Sequence, residues 1–280
     1  MRFRTEIEQK PSPVEISHRD KIVMLGSCFT DNIGERLARD GFDVLANPFG
    51  PFFNPVSISN IVSQKPSLMV EMGENIHCLD LPSIYRTEKT KVDELSKNID
   101  FQYTQFHQFL TKSTVAIITL GSAHVYTHIS SGRIVANCHK FPACEFEQRT
   151  LSLTETTEAI KRIVSSLKEY GVQTILFTIS PVRHLDKGLS GNFISKATLR
   201  LALESVLSTD VLYFPAFEIM NDDLRDYRFY AADMKHPSDV AVDYIYEIFG
   251  STFFSRETKG IAEKALQAWK RQQHRTIIKQ

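Results

Sequence analysis

Two segments of this sequence carry side chains that could do chemistry together. The first is KIVMLGSCFTDNIGERL, residues 21–37, where Ser27 and Cys28 follow an apolar run and precede a helical pattern. The second is AADMKHPSD, residues 231–239, where Asp233 and His236 stand three apart ahead of Pro237. A serine hydroxyl is a poor nucleophile until a base takes its proton. A carboxylate on one imidazole nitrogen fixes the tautomer and leaves the other nitrogen to take that proton. Together the segments hold the parts for acyl transfer through a covalent serine intermediate. DxxH spacing alone is common, and a lone histidine more often serves structure than catalysis. The weight therefore lies in its combination with the Gly-Ser turn.

The elements around these residues must bring them together. KIVMLG reads as a buried strand ending at Gly26, and Phe29, Ile33 and Leu37 form the apolar stripe of a helix stopped by Gly41. A serine at that helix start gains from free backbone N–H groups and the positive end of the helix dipole. Further strands are expected at 42–47, 114–121, 172–180 and 211–214. Helices are expected from Pro55 behind the cap Asn54, over 154–170 and 193–208, after Pro237, and over 257–275. Residues 66–100 predict irregular structure with one short helix near 90–98. Strands alternating with helices imply a mostly parallel sheet covered on both faces, with ligands beyond the carboxyl ends of the strands. Gly26-Ser27, Gly121-Ser122 and Ser180-Pro181 all fall at such ends, so three segments should meet at one crevice.

Composition narrows the function. The chain has 280 residues, with 33 basic and 33 acidic side chains, and 42% of it is hydrophobic. A balanced charge argues against a nucleic-acid partner, which needs a basic face. No apolar run approaches the ~18 residues of a membrane span, and MRFRTEIEQKPSP lacks the apolar stretch of a signal peptide. Four scattered cysteines, none in a CxxC pair, fit a reducing compartment, and the expectation is a cytoplasmic protein. The cluster NCHK with Cys144, and His77 beside Cys78, lack structural zinc spacing; neither a metal nor a cofactor is expected.

The segments LGSCFTDNIG, NPFGPFFNP, ITLGSAHVY, VANCHKFP, FTISPVRH, NFISKATL and the run from Tyr213 to Phe249 together resemble the GSCFA family, which is grouped with the SGNH (GDSL-like) hydrolases. The resemblance covers about residues 1–255 in order. Thr30 stands where the motif name has alanine, and that position is expected to face solvent or a neighbouring loop. The resemblance implies a three-layer α/β/α, flavodoxin-like fold with a five-stranded parallel sheet. It forms a domain over 1–255, with 256–280 as an amphipathic helical extension. It further implies Ser27 as nucleophile and Asp233 with His236 as the partner pair. Cys28, one position on, is expected to be a thiol packing under the helix.

In that family pattern the oxyanion is held by the serine N–H, a glycine N–H and an asparagine side chain. Ser27 and Gly50 fit the first two roles. The third loop, Gly121-Ser122-Ala123, has alanine where asparagine would stand, leaving Asn47, Asn54, Ser122 or His124 as substitutes. Asn47 and Asn54 serve equally well as turn and cap residues. Gly121, His124, His139, Arg183 and His184 are further candidates for lining the substrate crevice. For Arg183 and His184 the plainer expectation is a loop ion pair with the acidic NDDLRD, residues 221–226. The expected function is a serine esterase releasing a small acyl group, such as acetyl on a carbohydrate, from a small-molecule or glycan ester. O-acyl transfer by the same triad and a non-catalytic ligand- or glycan-binding module are the alternatives. The oligomeric state is not legible.

Overall fold

The computed structural model describes residues 4–7 and 10–277. In chain order the strands are β1 (Lys21–Gly26), β2 (Asp43–Ala46), β3 (Met69–Met72), β4 (Asn75–Cys78), β5 (Arg86–Glu88), β6 (Val115–Leu120), β7 (His124–His128), β8 (Arg133–Val135), β9 (Phe146–Thr150), β10 (Thr174–Ile179) and β11 (Val211–Phe214). The helices are α1 (Cys28–Arg39), α2 (Pro55–Ser63), α3 (Val92–Leu110), α4 (Leu153–Glu169), α5 (Gly188–Glu204), the single turn α6 (Ala216–Glu218), α7 (Asp239–Phe253) and α8 (Arg256–Ile277).

Five strands pair in parallel in the order β11-β10-β6-β1-β2. The period-two alternation of side chains sends each strand's residues to opposite faces. Val23 and Leu25 of β1, Ala116 and Ile118 of β6, and Phe177 of β10 pack into one apolar layer with helices α2 to α5. Ile22, Met24, Val115, Ile117 and Leu176 pack into the other with α1 and α7. This is a three-layer α/β/α sandwich of flavodoxin-like order, as expected. Chain connections leave β1 in opposite directions toward β2 and β6, so the switch point, where such folds place ligands, lies between β1 and β6.

The stretch expected to be irregular is ordered. Residues 69–88 form a small antiparallel sheet, β3-β4-β5, and α3 runs 19 residues rather than one short turn. A second small sheet, β8-β7-β9, also went unanticipated. Their strands are short and polar, so alternation within three to five residues is too brief to read. In α3 the buried stripe consists of Leu95, Ile99, Phe106 and Leu110, with polar residues where the intervening turn would complete it. α8 lies against α1 near Gly41, where Ala265 approaches, and buries Ala262. Residues 278–280, the last of the expected 256–280 extension, lie outside the described residues.

Gly26 ends β1 at φ +147°, and a Cβ placed there would stand 2.2 Å from the Thr119 carbonyl oxygen. Both the left-handed φ and the close approach require glycine. Gly26→Ala is expected to cost about 3 kcal/mol or more of stability by combined strain and clash. Urea unfolding measures it, and a loss under about 1 kcal/mol would contradict the geometry.

Candidate active site

Ser27 caps α1 in extended conformation, and its Oγ accepts the Phe29 N–H at 3.3 Å. The hydroxyl is 1% exposed and donates to Ser180 Oγ at 2.9 Å, joining the ends of β1 and β10. Asn47 holds this turn together from the end of β2. Its Oδ1 accepts the Gly26 N–H at 2.9 Å, and its Nδ2 donates to Asp31 Oδ1 at 2.9 Å and the Ser27 carbonyl at 3.3 Å. Asn47 itself sits at φ +40°, a conformation asparagine tolerates better than most residues. Cys28 is half-buried in the first turn of α1, and burial, then the nearby Asp31, pushes its thiol pKa up. A thiol kept protonated is a poor nucleophile. Thr30 departs from expectation. It is fully buried and its Oγ1 has no partner, because that face of α1 turns into the fold rather than toward solvent.

His236 and Asp233 stand on the loop before α7. Asp233 Oδ2 accepts the His236 Nδ1–H at 2.5 Å, and Oδ1 accepts the backbone N–H groups of Lys235 and His236 at 2.9 and 3.0 Å. These bonds, the His236 backbone first, hold the Asp233 carboxyl far below the usual carboxylate range. Because a carboxylate only accepts, Nδ1 carries the proton and Nε2 remains an acceptor. Met234 at φ +58° lets the loop turn that tightly, and the Ala231 N–H to His236 carbonyl bond and the Tyr230–Pro237 bridge pin it.

The two segments reach the same end of the sheet. Ser180 bonds Ser27, and three residues on the Arg183 N–H donates to the Lys235 carbonyl at 3.0 Å. Among the described residues Ser27 makes no hydrogen bond with His236, whose side chain is 47% exposed. The serine is turned inward to Ser180 and the imidazole outward.

Several expected donors are already engaged. The Ser27 N–H donates to the Thr119 carbonyl at 3.2 Å and the Gly50 N–H to the Asn47 carbonyl at 2.8 Å. In this arrangement neither points free for an oxyanion, because the Ser27 N–H extends the β1–β6 pairing and the Gly50 N–H closes its own turn. Asn47 commits both amide ends to the turn around Gly26 and Ser27. Asn54 caps α2 through Ser57, its Oδ1 accepting the Ser57 N–H and its Nδ2 donating to Ser57 Oγ. The N–H groups of Gly121 and Ser122 share the Phe53 carbonyl, and Ser122 Oγ accepts the His124 N–H beside Ser195 Oγ.

The crevice candidates separate. His184 packs its ring on Phe53 and receives support from Asn192 Oδ1, which accepts its backbone N–H. Burial, then the nearby Lys196, lowers its pKa, and His124 and His236 also bear on it, so these groups share one neighbourhood. His124 Nδ1 meets Thr150 Oγ1, while its Nε2 is buried beside Gly191. His139 belongs to packing instead. It is 2% exposed; its Nε2–H donates to the Leu81 carbonyl, so its Nδ1 accepts from His77 Nδ1 at 3.2 Å. With both nitrogens occupied it presents nothing to a crevice. Arg183 makes no ion pair with residues 221–226 among the described residues. Its guanidinium stacks on Tyr230 at 3.9 Å and Tyr227 at 5.2 Å, bordering a 250 Å³ pocket with Asp222 and Asp226. Aromatic faces offered a planar cation more than an exposed carboxylate would. Among the described residues no three His, Cys, Asp or Glu side chains converge to hold a metal ion, and no helix is long and apolar enough to cross a membrane.

Sequence reasoning placed Ser180 at a strand end bordering the crevice without giving it a role, and missed Lys196, although it lies in a quoted motif. Lys196, on α5, is 2% exposed and donates to the carbonyls of Gly121 and Ser180, each at 2.7 Å. It pairs with no carboxylate among the described residues, and burial pushes its pKa down to about 7. Between that value and the ~10.4 of an unfolded lysine, the unfolded chain binds more protons, so stability contributed by this site rises with pH. The slope should approach about 1.4 kcal/mol per pH unit from pH 7.5 to 9.5. Lys196→Met should flatten the wild-type curve by that amount in urea titrations; parallel curves would refute the assignment.

The GSCFA family model matches residues 21–249. Among solved structures, a carbohydrate esterase family 3 protein from Talaromyces cellulolyticus is similar at 8% identity over 82% of this chain and 94% of that chain, with TM-score 0.42. An acetyl esterase mutant with an acetate ion gives 8% identity, 82% and 94% coverage, and TM-score 0.41. No curated protein matches significantly.

Proposed function

This chain belongs to the GSCFA family, and from that premise and the site geometry we propose that it is a serine hydrolase cleaving a small acyl ester through an acyl-enzyme on Ser27. One observation carries the reading. A buried serine caps a helix at the switch point of the sheet and bonds Ser180, and the loop that carries a carboxylate-oriented imidazole is bonded to Arg183, three residues beyond Ser180.

His236 accepts the Ser27 proton on Nε2 while Asp233 holds Nδ1–H, and the Ser27 oxygen attacks the ester carbonyl. For this the Ser27 proton turns from Ser180 to the imidazole as the two segments close up, a tightening common between resting and reacting sites. Negative charge on the former carbonyl oxygen develops beside the start of α1, where the first-turn N–H groups lack intrahelical partners. The tetrahedral centre collapses, His236 returns its proton to the leaving alcohol, and water repeats the cycle to free the acid. A hydroxyl acceptor in place of water gives acyl transfer by the same steps. The acyl group we propose is acetyl or similarly small, on a carbohydrate or other small alcohol.

Turnover of p-nitrophenyl acetate, stopped by one equivalent of a fluorophosphonate, is the expected result. A protein that merely holds a ligand at the helix start would bind without turnover and resist the probe, and that outcome would defeat the reading.

A further inference from the structure

We propose that Ser180 is a catalytic residue of the Ser27 reaction, its hydroxyl accepting from Ser27 at rest and donating to the Ser27 oxygen once His236 has taken the proton. The inference rests on Ser27 being the nucleophile. No proton changes owner at Ser180: its hydroxyl rotates, while the Ser27 proton passes to His236.

Three observations support this role. The two Oγ atoms are 2.9 Å apart, both essentially without exposure, and 153 positions apart in sequence. The Ser180 backbone is pinned on both sides, its N–H donating to the Leu120 carbonyl at 2.8 Å and its own carbonyl accepting Lys196 Nζ at 2.7 Å. Pro181 follows and further restricts the Ser180 backbone, so the freedom left to the residue lies in its side chain. At rest Ser180 Oγ also accepts the Val182 N–H at 3.3 Å, and among the described residues its own proton has no acceptor. It is a donor held in reserve beside the reacting atom.

Its position also answers the gap at the loop after β6. Gly121 and Ser122 commit their N–H groups to Phe53, Ser122 Oγ is committed to His124 and Ser195, and residue 123 is alanine. Among the described residues that loop makes no hydrogen bond to Ser27, whereas Ser180, at the end of the strand next to β6, already stands 2.9 Å from the Ser27 oxygen.

The test is the second-order rate of fluorophosphonate labelling at Ser27, with melting temperature measured on each variant. Ser180→Ala should slow labelling roughly 10- to 100-fold while remaining folded. Ser180→Thr, which keeps the hydroxyl, should recover most of that rate. Should the alanine variant fail to fold, Ser180→Cys, close in size and a weak donor, should show the same slowing. A folded Ser180→Ala or Ser180→Cys labelled at the wild-type rate overturns this inference alone. Wild-type protein that is not labelled at Ser27 overturns the hydrolase reading, and this inference with it.

Discussion

Ser27→Ala is expected to lower kcat on p-nitrophenyl acetate by about 10⁴- to 10⁶-fold and to abolish fluorophosphonate labelling, while Cys28→Ala stays within about threefold of wild type. The magnitude follows from removing the atom that forms the covalent intermediate, where nucleophile deletions leave little beyond binding and electrostatic assistance. The contrast between neighbours follows from their settings. Ser27 follows β1 with its hydroxyl bonded to Ser180 and its backbone fixed by Asn47 and Thr119. Cys28 begins the helix as a half-buried thiol whose pKa burial has raised. Loss of the Ser27 hydroxyl breaks its bond to Ser180 and the helix cap on Phe29, at a stability cost of about 2 kcal/mol, too little to account for lost turnover by unfolding. If labelling instead disappeared in Cys28→Ala and persisted in Ser27→Ala, the nucleophile would be misassigned.

His236→Ala should reduce turnover to a similar degree, and Asp233→Asn by about 10³- to 10⁴-fold, because the amide no longer enforces the tautomer that leaves Nε2 free. Both side chains are almost half exposed, so neither substitution opens a cavity or leaves a buried group unpaired. Circular dichroism and melting temperature should remain near wild type. Asp233 also shapes the pH profile. Its depressed pKa means the carboxylate persists well below the ~3.9 of an unfolded aspartate, and its contribution is lost only as pH falls through the lower folded value. An acid limb seen above about pH 4 therefore does not report protonation of Asp233. A His236→Ala variant retaining more than about a tenth of wild-type turnover would remove His236 as the base.

Local patterns made much of this legible. The stripe Phe29, Ile33, Leu37 and the Ser27 cap are relations within a few residues, and they produced α1 where the pattern put it. The apolar runs at 21–26, 114–121 and 172–180 became the three central strands, since a strand buried on both faces must be apolar throughout. The Asp233–His236 bond spans three residues and was readable from spacing. The short polar hairpins at 69–88 and 124–150 were not, because their stability depends on packing over α2 and around Phe141 rather than on their own pattern. His139 sat in a motif and was expected at the crevice. Its place against His77 and Leu81 depends on two loops that meet only in the folded chain.

The amino-acid order by itself determined the five strands of the parallel sheet, the helix-capping serine and the carboxylate–imidazole pair, all of which are legible in residues close in the chain. Only the tertiary structure decided that Ser27 bonds Ser180, that the N–H groups of Ser27 and Gly50 are occupied, and that Lys196 lies buried beneath two strand ends. Those relations join segments as far as 153 residues apart through strand order and the direction of crossovers. Periodicity reports which face of an element is apolar; it says nothing of which distant element will cover that face or which hydroxyl will arrive at a given strand end.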